Sequence, residues 1–193
     1  VRTERLLLRR WVAEDLEPLA AMNADREVME HFPATLARDE SELLLGRIEA
    51  HFHEHGYGLW AIELPGEARF AGFAGLGHVD PAPPFTPAVE LAWRLARRFW
   101  GRGIASEAAR AAARCAFEAH GLRELVAFAS PRNARSIAVM ERLGMARDPD
   151  GDFEHPHLPA GHPLRAHVLY RLPAARMLDG CAAATRTPPA LKS

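Results

Sequence analysis

The chain has 193 residues, a formal net charge of −1, and 48% hydrophobic beside 25% charged residues. That balance excludes wholesale disorder and gives no general attraction to nucleic acid or to an anionic membrane. No apolar run reaches the roughly 20 residues that span a bilayer, and the opening Val1-Arg2-Thr3-Glu4-Arg5 has no signal-peptide character, so a cytoplasmic protein is expected.

Residues 5–11 read as a first strand and residues 13–24 as a helix, with Glu14, Asp15 and Glu17 in its first turn, where the helix dipole favours acids. Pro33 ends that pattern. Residues 39–55 predict a second helix with Leu43, Leu44, Ile48 and Phe52 on one face. The triplet His51, His53 and His55 invites a metal reading. However, only His51 and His55 share a helical face and no zinc-protease pattern accompanies them, so a solvated face with no metal is the expectation.

Residues 58–64 and 69–76, joined through Pro65-Gly66, read as a hairpin, and Gly72, Gly75 and Gly77 suggest close backbone approach. A Pro-rich loop over residues 80–87 leads to a strand at residues 89–95. Residues 103–120 are strongly helical, with Ile104, Ala108, Ala111, Cys115 and Ala119 as the apolar stripe. Next come a short buried strand at 125–129, a helix at 133–143 capped by Asn133, a polar loop at 148–163 and a last strand at 166–172. The expected class is α/β, a mixed and mostly antiparallel sheet of six to seven strands with about four helices. Residues 1–173 form the expected single domain and residues 174–193 a poorly ordered tail. Cys115 and Cys181 lack metal spacing and read as reduced thiols.

The segment Arg98-Phe99-Trp100-Gly101-Arg102-Gly103 joins a strand directly to a long helix. Glycines permit a tight turn that converges backbone N–H groups. The first N–H groups of the helix lack internal partners, and the dipole adds partial positive charge. Together these suit a pyrophosphate, with Arg97, Arg98 and Arg102 as mobile cations nearby. A dinucleotide fingerprint would need a third glycine where Ser106 stands, and no Gly-Lys-Ser/Thr follows to make a P-loop.

The run Glu90-Leu91-Ala92-Trp93-Arg94-Leu95, followed by Arg98-x-x-Gly101-x-Gly103-Ile104-Ala105-Ser106, resembles the acyl-CoA motif of the GNAT N-acetyltransferase superfamily. Asn133-x-x-Ser136-x-x-x-x-Glu141-x-x-Gly144-Met145 resembles its ribosomal-protein alanine acetyltransferase branch, the RimJ/RimL type. Residues 3–9 and Phe153-x-His155-Pro156 are similar to that branch as well.

The resemblance implies acetyl-CoA as cosubstrate, with no metal. The N–H groups of Phe99, Trp100, Gly101, Arg102, Gly103 and Ile104, with Ala105 and Ser106 nearby, would hold the pyrophosphate. The backbone of Leu91, Ala92 and Trp93 would bond the pantetheine arm, and Asn133 and Ser136 would face the thiol. The implied acceptor is a small amine or a protein N-terminus, and the enzyme a monomer or homodimer. A non-catalytic acyl-CoA-binding module, or transfer of another acyl group such as succinyl, is the alternative.

Attack on a thioester requires a deprotonated amine and, finally, a proton for the departing thiolate. Many superfamily members use a tyrosine seven residues after the asparagine. Here that residue is Met140, and Ser136 is the donor the resemblance suggests. Glu90, Glu154 and His155 are the candidate bases, His being attractive because its ordinary pKa lies near neutrality. Trp60, Trp93, Phe73 and His31 are candidates for lining the acceptor pocket, although aromatics on strands are more often core.

Overall fold

The computed structural model describes residues 1–79, 82–156 and 158–177. Among these residues seven strands form one sheet in the order β1-β2-β3-β4-β5-β7-β6. The strands are β1 (Leu7–Arg9), β2 (Leu59–Leu64), β3 (Ala68–His78), β4 (Val89–Leu95), β5 (Glu124–Ala129), β6 (Ala146–Glu154) and β7 (Ala166–Pro173). The helices are α1 (Leu16–Ala24), α2 (Arg38–His55), α3 (Ile104–Glu118) and α4 (Ala134–Arg142). This is the expected α/β arrangement. Every strand pairing is antiparallel except β4 with β5, which meet in register only at Glu90 and Val126.

The sheet closes tightly at β3, where two of the strand's three glycines sit against neighbouring backbone. A Cβ on Gly72 would fall 2.1 Å from the Arg94 carbonyl oxygen, and one on Gly75 would fall 2.1 Å from that of Gly58. Both have positive φ, 143° and 156°, so any larger residue would meet backbone as well as strain. Gly77 departs from the expectation, since nothing lies within 4 Å of its Cβ position.

Four other sequence expectations are corrected. The apolar stripe of α3 is Ile104, Ala108, Ala109, Ala112, Ala113, Ala116 and Phe117, while Ala111 and Cys115 are half-buried and Ala119 is exposed. The small alanines widen the face that packs on β3 and β4, a shift that a five-residue count of periodicity misses. Leu43 is 68% exposed rather than on the packed face of α2.

Part of the expected loop at 148–163 is strand β6, paired to β7 with an irregular register between Asp148 and Phe153. As the sheet's edge it tolerates Pro149, and its polar residues are held by ion pairs such as Arg171–Asp148 at 2.5 Å. The expected tail begins by docking: the Ala174 N–H donates to the Arg123 carbonyl at 2.8 Å, and Ala174 and Met177 pack against the core. Residues 178–193 of that tail, Cys181 included, and Asp80 and Pro81 of the Pro-rich loop lie outside the described residues. Among the described residues no helix is long and apolar enough to cross a membrane.

Candidate functional site

The passage from β4 into α3 is a short 3-10 turn, Arg97–Phe99, followed by two glycines in the left-handed region, Gly101 (φ 72°) and Gly103 (φ 76°). In that turn the Phe99 N–H donates to the Ala96 carbonyl at 2.9 Å and the Trp100 N–H to that of Arg97 at 3.0 Å. Phe99 and Trp100 therefore do not offer free N–H donors, contrary to the sequence expectation. The Phe99 side chain is buried, anchoring the turn to the core.

The next donors differ. The first N–H of this stretch with an internal acceptor is that of Glu107, to the Gly103 carbonyl at 3.1 Å. The N–H groups of residues 101–106 have no acceptor among the described residues. The N-cap of α3 is Gly103, which has no side chain to cap with. Nothing lies within 4 Å of a Cβ position on Gly101. Six successive main-chain donors at the positive end of a 15-residue helix, beside open space, make an anion cradle.

The side chains around the cradle are ordered by charge. Glu107, in the first turn of α3, would repel an anion were it not held by the N-terminal segment. Thr3 donates to it at 2.6 Å, the Arg5 N–H at 3.0 Å and Arg5 Nε at 2.7 Å. Burial works against its charge, but these bonds hold its carboxyl below the usual range. Arg102 is forked onto Glu67 at 2.5 and 2.7 Å, and Arg97 pairs with Glu27. Arg98 has no carboxylate partner among the described residues and lies over the Phe99 ring, 4.7 Å from its centroid. It borders a cavity of about 580 Å³ together with Glu14, Asp15, Arg69, Phe70 and Arg102.

Beyond the Glu90–Val126 pair the ladder between β4 and β5 stops. Backbone groups alternate along a strand, and Ala92, in phase with Ala96, whose N–H donates to the Ala71 carbonyl, turns its own toward β3, contrary to the sequence expectation; the β5-facing groups of Trp93 have no ladder partner. Across this gap stands the start of α4. There Asn133 Oδ1 accepts the Ser136 N–H at 3.1 Å, the expected cap. The half-buried Ser136 hydroxyl has no hydrogen-bond partner among the described residues. Met140, the position a tyrosine would take, is fully buried core.

Strand alternation puts Glu90, Ala92 and Arg94 on one side of β4. Burial pushes the Glu90 carboxyl up to about 7, and no carboxylate–cation pair offsets it among the described residues, so it exchanges a proton near neutrality. Arg94, missed by the sequence reading, is a cation with no carboxylate partner among the described residues. Its Nη1 donates to Asn23 Oδ1 at 2.7 Å, and its guanidinium lies 4.1 Å from the Phe32 centroid and 5.2 Å from that of Phe73. Its Nε is buried without a partner, and burial pulls its pKa down to about 10. Trp60 and Phe73 are core side chains, whereas His31 and Trp93 are half-buried.

The other two candidate bases stand elsewhere. Glu154 ends the edge strand β6, is exposed and pairs with Arg165 at 2.7 Å. His155 follows it, its N–H bonded to the Arg165 carbonyl at 2.7 Å and its ring 5.3 Å from that of His167. Strands β5 and β7 separate both from β4. His167 is a further titratable group that sequence reasoning passed over. Burial lowers its pKa, and its Nδ1 sits 3.2 Å from the Arg165 carbonyl, which leaves Nε2 as an acceptor. Only its place on an expected strand marked it in the sequence, because its aromatic neighbours Phe128 and Phe153 come from other strands.

Residues 5–146 match the family described as acetyltransferase (GNAT) domain. The chain is 36% identical over 95 residues to the Bacillus subtilis (strain 168) protein YkkB, covering 48% of this chain and 54% of that one. It is also 36% identical over 94 residues to the FsC-acetyl coenzyme A-N(2)-transacetylase of Aspergillus fumigatus, covering 47% of this chain and 39% of that one. The matched region thus spans about half or less of these relatives' length. Among solved structures, the acetyltransferase from Agrobacterium tumefaciens str. C58 superposes with a TM-score of 0.72 at 31% identity. That match covers 89% of this chain and 92% of the other.

Proposed function

The chain belongs to the acetyltransferase (GNAT) family, and we propose that it is an acetyl-CoA-dependent N-acetyltransferase of the RimJ/RimL type, carried by a domain spanning residues 1–173. The observation that carries this reading is the run of unpaired N–H donors over residues 101–106, set where β4 parts from β5. The fit to a diphosphate is physical: the donors lie at a helix N-terminus, a Cβ on Gly101 would enter open space beside them, and Arg98 makes no carboxylate ion pair among the described residues.

Acetyl-CoA supplies an acetyl group already activated as a thioester. Residues 101–106 hold its diphosphate, and the backbone of Leu91 and Trp93, on the side of β4 that faces β5, lines its arm. An N–H of that backbone is available to stabilise charge developing on the acyl oxygen. Ser136, in the first turn of α4 with Asn133 fixing the turn, donates a proton to the departing sulfur. Glu90, poised near neutrality by burial, removes the proton of the incoming ammonium, directly or through water. Glu154 and His155 border the far end of the sheet and are assigned no proton transfer.

The acceptor is a primary amine, of a small molecule or a protein N-terminus. Arg94 shares its side of β4 with Glu90 and lacks a carboxylate, which disfavours a polycationic acceptor and favours a monoamine. The test is incubation of the protein with acetyl-CoA and a panel of peptides, amino acids, monoamines and polyamines, followed by free-thiol release and product mass. Acetylated monoamine or N-terminal products are expected. Tight CoA binding with no product across the panel would replace this reading by the binding module, and turnover only with another acyl-CoA would change the donor.

A further inference from the structure

The second histidine-rich region of the molecule lies where α2 ends against β3. His51 and His55, one turn apart, are half-buried rather than solvated, with ring centroids 4.5 Å apart. His78, the last residue of β3 and far away in sequence, stacks on His55 at 4.1 Å and meets His51 at 5.3 Å. We propose that His51, His55 and His78 form a site for one divalent cation of the zinc class, tying the last turn of α2 to the end of β3.

One nitrogen from each ring can be chosen so that all lie within 4.8 Å of one another. Tetrahedral zinc with bonds of about 2.0–2.1 Å sets its ligand nitrogens roughly 3.4 Å apart. Small side-chain rotations therefore close the site without moving the backbone. Three imidazoles with an open fourth position suit zinc, nickel or copper rather than calcium or magnesium.

The outer contacts prepare these rings to ligate. His51 Nδ1 lies 2.8 Å from the Tyr57 carbonyl, which can only accept, so that nitrogen holds the proton and Nε2 the lone pair. The lone pair now receives only the His78 N–H at 3.2 Å. His78 Nε2 lies 2.8 Å from the Tyr57 hydroxyl; when that oxygen accepts, Nδ1 of His78 is free to coordinate. Tyr57, itself buried, thus orients two of the three rings.

The charge environment agrees. Glu54 lies 3.7 Å from His55, and His120 packs on Tyr57 at 5.0 Å. The C-terminus of α2 turns its negative dipole end toward this place, which favours a cation. His53, on the same helix turn, is exposed and is absent from the cluster.

The site would act at a distance of one register step from the proposed base, since His78 follows Gly77, which pairs across the ladder with Glu90. Its role is to fasten β3 there, and it takes no part in acyl transfer.

The test uses untagged full-length protein stripped with a chelator and titrated with zinc or cobalt ions. One equivalent of metal is expected, with a tetrahedral cobalt absorption spectrum and a Tm that rises with zinc. Affinity should fall at least about 100-fold in His55→Gln/His78→Gln and about tenfold in Tyr57→Phe, and stay unchanged in His53→Gln. If the double variant fails to fold, His78→Gln alone, at the exposed strand end, serves in its place. Binding by the wild type no tighter than by these variants, an equal loss in His53→Gln, or no stoichiometric end point would overturn the site.

Discussion

Two helices begin on either side of the β4–β5 gap, and they begin differently. Helix α4 places Asn133 at its start and satisfies the Ser136 N–H with its own side chain. Helix α3, which is longer, starts on Gly103 and leaves the donors of residues 101–106 without an acceptor among the described residues. Capping contributes about 1 kcal/mol to a helix, so an uncapped start is a stability forgone. On the proposed function, the difference separates a helix end built for folding from one that leaves its donors to a ligand.

The sharpest way to break this contrast is to fill the α3 start. Gly101→Val and Gly103→Val place a branched side chain at positive φ, and over Gly101 they occupy open space. Losing two or more charge-assisted hydrogen bonds, at about 1.5–3 kcal/mol each, should weaken CoA binding by at least about 100-fold in calorimetry. Full affinity in both variants would contradict the cradle.

Ser136→Ala tests the other helix as chemistry rather than architecture. Turnover should drop tenfold or more, in line with the scale of general acid catalysis of about 100-fold upward, with CoA affinity within about twofold. An unchanged rate removes that hydroxyl from the reaction.

Glu90 gives a pH signature between the two helices. As a base it must be ionised, so kcat/KM should rise with pH through about 7, and Glu90→Gln should flatten that limb. For stability the sign is opposite. The folded pKa is raised above its ordinary 4.5, so the unfolded chain loses the proton first. Stability then falls from pH 4.5 to about 7 and levels off above. Removing the buried charge should stabilise Glu90→Gln at pH 8 by roughly 1–2 kcal/mol after allowing for its partial exposure, a Tm rise of about 3–6 °C. A wild-type profile that survives the substitution would point to another base.

The smallest effect is expected at Asn133→Ala. Loss of the cap should cost about 1 kcal/mol and lower Tm by roughly 2–4 °C, with Asn133→Asp restoring most of it. A drop in CoA affinity of the size seen for the glycine variants would erase the distinction between the two helix starts.

Local signals carried much of this molecule. The strand at residues 89–95, the glycine turn and the Asn133 cap each follow from a few neighbouring side chains, and the structure has them where the pattern put them. The edge strand β6 was hidden because its order comes from pairing with β7 and from the ion pair of Asp148 with Arg171 on that strand, rather than from the pattern of its own polar, proline-containing sequence. Which N–H groups of the cradle are free was equally hidden: nothing in Arg97-Arg98-Phe99 announces a 3-10 turn that occupies two of them. Arg94 and His78 matter through partners brought by tertiary packing, Asn23 and Phe32 for one, His51 and His55 for the other. No periodicity in one strand reports such neighbours.

A structure of the protein with coenzyme A bound tests the central claim most directly. The diphosphate is expected within hydrogen-bonding distance of the main-chain nitrogens of residues 101–106, with the thiol arm running between β4 and β5 toward Ser136. A nucleotide seated elsewhere, with those nitrogens still facing solvent, would contradict the account.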